Sequence, residues 1–107
     1  MNFHLIGGIQ MKFLVITKPK GGPLPENYAD LLKSAETWIN SKIASGELES
    51  LYGMLPYGSV AIATYESHEK MWEDMVSYPL YPFLEFKLKP LYDWKVTFSK
   101  SFEMLSK

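Results

Sequence analysis

Cysteine is absent from this sequence, so neither disulfides nor thiolate metal sites can support the fold. Histidine occurs only twice, at His4 and His68, and such a pair without cysteine gives no metal-ligand spacing. No excess of one charge exists either: 11 basic residues face 12 acidic ones, for a formal net charge of −1. The basic residues are lysines, which meet phosphate as point charges without a bidentate fork. Nothing clusters them along a face as a nucleic-acid footprint requires. No apolar run approaches the roughly 20 residues that cross a bilayer. Met1–Gln10 lacks the basic start and long apolar stretch of a secretory signal, so a cytoplasmic location is expected by default. No nucleic-acid partner, membrane contact, metal or cofactor is expected.

What remains is a globular balance, with 47% hydrophobic and 21% charged residues. A chain of 107 residues fits one domain, because a second core would be too small to hold itself together. Its stability must come from packing, within the chain or against a partner. Met11 opens MKFLVITKPK, which reads as the natural start of the domain. Met1–Gln10 then reads as an extension or alternative start, in which Gly7-Gly8 breaks any strand continuing from Phe3–Ile6.

Met11–Lys18 is rich in β-formers and stops at the loop signal PKGGPLP. A helix is predicted from Pro25 to Ser45: Pro25 suits a first helical position, and apolar residues recur at Tyr28, Leu31, Leu32, Ala35, Trp38, Ile39 and Ile43. Gly46 fits a left-handed cap. Glu47–Leu55 and Ser59–Glu66 read as strands joined by a tight turn at Pro56-Tyr57-Gly58. Ser67 suits the cap of a second helix reaching Val76, with Met71, Trp72, Met75 and Val76 as its buried stripe. Pro79 and Pro82 end that helix. Phe83–Lys89 then alternates, with Leu84, Phe86 and Leu88 facing the helices. The order β-α-β-β-α-β predicts a ferredoxin-like α+β domain over residues 11–91, a four-stranded antiparallel sheet with two helices on one face. In the tail, residues 92–107, Trp94, Val96 and Phe98 alternate as in a strand, whereas Phe102 and Leu105 fit a helical turn. So aromatic a tail is expected to dock, on its own subunit or on a neighbour.

The central strands are apolar without alternation: Phe13 to Ile16, and Val60 to Ala63. Both faces of the sheet therefore want shelter. A second copy packed sheet against sheet supplies it, giving a homodimer or higher oligomer; the alternative is that the tail covers its own sheet. Small residues at Ser59, Ala61 and Ala63 leave room for a pocket between the layers.

The run YPLYPFLEFKLKPL at Tyr78–Leu91 is similar to the muconolactone Δ-isomerase family, in which a hydrophobic-Pro-Leu-aromatic-Pro-aromatic segment leads from the second helix into an acidic last strand. Pro79, Leu80, Tyr81, Pro82 and Phe83 fit that segment, Glu85 its acidic position and Leu91 a leucine near its end. A weaker likeness covers Met11 to Glu66. The resemblance implies a dimeric α/β barrel and a cofactor-independent isomerase that moves a proton on a small oxygenated ring compound. The family's His and Arg of the second strand stand here as Ser50 and Gly53, and its second-helix His as Trp72, so the groups that recognise an anionic lactone are replaced.

Glu85 is the candidate base or acid: on the open face, burial would raise its pKa toward the range used in proton transfer. Tyr52, Tyr57, Tyr65 and Tyr81 are candidates to offer hydroxyls to a small apolar oxygenated ligand, against the commoner role of aromatics in packing. Trp72, on the apolar stripe, is read as core. Glu47 and Glu49 share a strand face as a possible acid pair, solvated at a strand start. His68 is read as a surface residue at a helix start, and Gly21-Gly22 as a connection rather than a phosphate cradle. A non-catalytic ligand-binding module, or a cofactor-free oxygenase or cyclase of the same barrel type, is the alternative function on this scaffold.

Overall fold

A computed structural model describes residues 10–106. The broken strand at Phe3–Ile6 and His4 lie outside the described residues, as does the rest of the extension before Gln10. The chain forms β1 (Met11–Pro19), α1 (Tyr28–Ser45), β2 (Leu48–Gly53), β3 (Ser59–Tyr65), α2 (His68–Ser77), one 3-10 turn (Tyr81–Phe83), β4 (Leu84–Leu91) and α3 (Trp94–Leu105). The sheet order is β2-β3-β1-β4, with every neighbouring pair antiparallel. This is the expected ferredoxin-like arrangement, with a third helix added.

Local chemistry sets most of the boundaries. α1 begins three residues later than Pro25, because residues 25–28 first form a turn in which Tyr28 N–H donates to the Pro25 carbonyl. Its end is as expected: Gly46 takes φ +93° and returns its N–H to the Lys42 and Ile43 carbonyls. Ser67 caps α2 by accepting from Lys70 N–H at 3.0 Å. The β2–β3 hairpin closes through Met54 N–H to the Gly58 carbonyl, with the Leu55–Pro56 peptide cis.

Register decides which face each residue takes. Phe13, Val15 and Thr17 of β1 stand opposite Ala63, Ala61 and Ser59 of β3. Val15 and Thr17 stand opposite Leu88 and Phe86 of β4. This set faces the helices, and with Leu48, Tyr65, Met71 and Met75 it makes the core. The other phase, Leu14 and Ile16 with Ile62 and Val60, is half-buried on the open face. Charged residues flank that stripe: Lys12 pairs with Glu49 at 2.8 Å, and Glu85, Lys87 and Lys89 are exposed along β4.

Two packing expectations are corrected. Trp72 and Val76 are not buried; both are exposed, and α2 instead buries Met71, Asp74 and Met75. The i, i+3, i+4 spacing includes a carboxylate because Lys42 reaches across from α1 to bond Asp74 at 2.8 Å, with Lys70 at 3.7 Å. A buried carboxylate so matched ties the two helices together, and removing one partner of such a pair typically costs about 3–5 kcal/mol. On α1, Leu32 and Ile43 are likewise exposed.

The tail does not cover its own sheet. Asp93 caps α3 by accepting from Lys95 N–H at 2.9 Å, so the segment that alternates in sequence winds as a helix. Every residue from Leu91 to Ser106 is exposed. Among the described residues, no helix is long and apolar enough to cross a membrane.

Candidate functional site

The small residues of β3 open a space, on the face opposite to the one expected. Ser59, Ala61 and Ala63 pair with the buried phase of β1, so the room lies beneath the chain's own helices and not against a second sheet. A cavity of about 210 Å³ results. Val15, Thr17, Ser59 and Ala61 form its floor, Trp38, Ile39 and Met75 its roof, and Tyr78 and Phe86 part of its wall. Leu48 and Leu51 of β2 close another side, with Tyr52 and Gly53 at the margin. Ala63 is fully buried and contributes packing only.

The roof is fixed by several independent contacts. Trp38 Nε1–H donates to Ser77 Oγ at 3.1 Å. Its ring lies 4.9 Å from that of Tyr78. Lys42 Nζ sits 5.5 Å from the Trp38 ring centroid while bonding Asp74. On the floor, the Thr17 and Ser59 hydroxyls meet at 2.6 Å, and either can donate. Burial pushes the Tyr78 phenol above its ordinary pKa, with Tyr28 adding to the effect. Among the described residues, no charged side chain lines the cavity.

The predicted site residues do not gather there. Glu85 points to the open face as expected, but it is exposed and stands in register with Lys18, on the far side of the sheet from the cavity. Tyr52 is exposed and shares the open-face phase with Val60, so it only borders the cavity. Tyr57 is exposed in the hairpin turn. Tyr81 packs between Trp72 and Phe86, at 5.8 and 5.3 Å between ring centroids. Glu47 and Glu49 do not act as a pair: a register shift between Leu48 and Ser50 interrupts the strand. Glu47 accepts from the Ser45 hydroxyl, while Glu49 binds Lys12 and Thr64. His68 is exposed at the start of α2, edge-on to Phe13. Among the described residues, no group of three or more His, Cys, Asp or Glu side chains converges.

Tyr65 belongs to the core, not to a ligand site. It is 2% exposed, and its hydroxyl lies near the Asp74 carboxylate. Burial pushes its phenol well above the ordinary value, and the nearby Asp74 and Glu47 carboxylates push the same way. The folded chain thus holds this proton more tightly than the unfolded chain does. The associated stability is complete below about pH 10 and is lost as pH rises beyond it. Tyr65→Phe is expected to flatten the alkaline decline. Urea melts at neutral and alkaline pH read the effect, and an unchanged decline in the variant would assign it to another group.

Sequence reasoning missed Thr17, Ser59, Trp38 and Tyr78 as one site. The available signal was a hydroxyl, Thr17, in the buried phase of an otherwise apolar strand. In comparisons with known proteins, no family model matches the chain and no curated protein matches it.

Proposed function

We propose that the protein is a small-molecule binding module that works as a homodimer on the ferredoxin-like scaffold. The observation that carries the binding role is the uncharged cavity between the sheet and its two helices, with aromatic walls and a single hydroxyl pair on its floor. An apolar pocket with a few convergent polar groups is the default place to look for a ligand. Glu85, the expected base for proton transfer, lies across the sheet from this space. The cavity is therefore assigned binding and no reaction, which departs from the activity that the muconolactone isomerase resemblance implies.

Self-association is supported by two apolar surfaces that no other element covers among the described residues. One is the open-face stripe of Leu14, Ile16, Val60 and Ile62 with its charged rim, the usual anatomy of an interface. The other is α3, where Trp94, Phe98 and Phe102 are each more than half exposed. Aromatic side chains bury roughly 150–250 Å² each, so these rings leave about 350 Å² to cover on each chain. Reciprocal docking doubles that area, and the sheet stripe carries it toward the roughly 1,200–2,000 Å² of a stable interface.

Binding is tested by titrating small ring compounds and following Trp38 emission. Trp72 and Trp94 are exposed elsewhere and serve as a constant background. Saturable binding of one molecule per chain is expected. It should be abolished by Leu51→Trp, which fills the cavity from β2, and unchanged by Glu85→Gln. The absence of saturable binding to any ring compound would refute the assignment.

A further inference from the structure

The cavity's own chemistry narrows what it holds. The Thr17 and Ser59 hydroxyls satisfy only each other: one O–H is used at 2.6 Å, and neither group makes another hydrogen bond among the described residues. A hydroxyl offers one donor and two lone pairs, so the pair keeps one free hydrogen and unused acceptor capacity. Thr17 is 8% exposed and Ser59 half-buried, so the pair is partly screened from water. An oxygen placed against this pair can therefore accept from one hydroxyl and donate to the other. The rest of the lining is mostly hydrocarbon and ring face, with Tyr52 and Tyr78 the other side chains that carry a hydroxyl: Trp38, Tyr78 and Phe86 suit the flat surface of an unsaturated or aromatic ring.

Charge and size set two further limits. The ammonium nearest to the roof, on Lys42, is committed to Asp74 and to the Trp38 ring. A carboxylate inside would find no counter-charge, and an unpaired ion in an apolar site is strongly disfavoured. A dry cavity of roughly 150 Å³ accepts benzene, so about 210 Å³ admits one ring with small substituents and not a fused polycycle. We infer that the ligand is a neutral monocyclic compound, a phenol or ring ketone, whose single oxygen is held by the Thr17–Ser59 hydroxyl pair. This rests on the reading of the cavity as a binding site. It sets the chain apart from proteins that bind acidic rings, because the selectivity is for an uncharged oxygen.

Three probes of similar outline test it at pH 7, by Trp38 emission and calorimetry: 4-methylphenol, p-xylene and 4-methylbenzoate. 4-Methylphenol should bind, and 4-methylbenzoate should bind about a hundredfold more weakly or not at all. The double variant Thr17→Val, Ser59→Ala should lose about tenfold in affinity for 4-methylphenol while keeping or improving its affinity for p-xylene. Retained p-xylene binding also shows that the variant's cavity is intact. If that variant collapses, Ser59→Ala alone should show the same change in ratio at smaller size. An unchanged ratio of 4-methylphenol to p-xylene in the variants, or tighter binding of 4-methylbenzoate, overturns the ligand class and leaves the binding site standing. Failure of all three probes to saturate overturns both.

Discussion

Ending the chain after Tyr92, and so removing α3, is expected to raise the dissociation constant of the proposed dimer about a thousandfold, corresponding to roughly 4 kcal/mol. Trp94, Phe98 and Phe102 are 64%, 56% and 65% exposed, and Leu105 extends the same helical stripe. Complete burial of one such side chain is worth about 1.5–3 kcal/mol, and ordering the interface offsets a large part of the gross gain. Sedimentation equilibrium on full-length and truncated chains measures the difference. The core should remain folded, because no residue of α3 is buried. A truncated chain that associates as strongly as the full one would remove α3 from the interface. A full-length chain that stays monomeric at high concentration would remove the dimer altogether.

Gly58→Ala is expected to be the most destabilising single substitution in the hairpin, by about 3 kcal/mol, or a fall in Tm of roughly 15 °C for a domain of this size. Gly58 holds φ +99°, a region that side chains rarely adopt. An added Cβ would lie 2.4 Å from the Thr17 carbonyl oxygen, which belongs to backbone and cannot swing away. β1 or the hairpin must move, and Thr17 and Ser59 are the first ladder pair to feel it. Ligand affinity should therefore fall along with stability. Gly22→Ala is the internal control: φ is +89° there too, but nothing lies within 4 Å of the new Cβ. It should cost about 1 kcal/mol, from backbone strain alone. Equal melting temperatures for the two variants would discount the clash.

Much of the fold is legible in the sequence because its signals are local. The alternation of Leu84, Phe86 and Leu88, the Ser67 cap and the Gly46 terminator each act within a few residues, and each stands where it was expected. Of the misplaced features, the buried face of α2 depends on a partner distant in sequence. Asp74 is buried and Trp72 is not because Lys42, 32 residues away, supplies the matching charge. The helical form of the tail depends on Asp93, a capping signal that the alternation of Trp94, Val96 and Phe98 obscured. The site was harder still to read. Periodicity shows that Ser59 and Ala61 share a face, but only the pairing with Thr17 and Val15 shows that this face lies under the helices. Glu85 stood out because the alternation of its strand aims it at the open face and because it fits the acidic position of the resemblance, whereas two hydroxyls become a recognition element only once the register brings them together.

The cavity has its floor on β1 and β3 and its roof on α1 and α2, all from one polypeptide. Occupancy therefore does not require the interface, and filling the cavity need not favour assembly. With no differential affinity between the single and paired forms, the coupling free energy between the two equilibria is close to zero. Such a receptor would respond to the concentration of its small guest in the same proportion whether the protein is scarce or abundant.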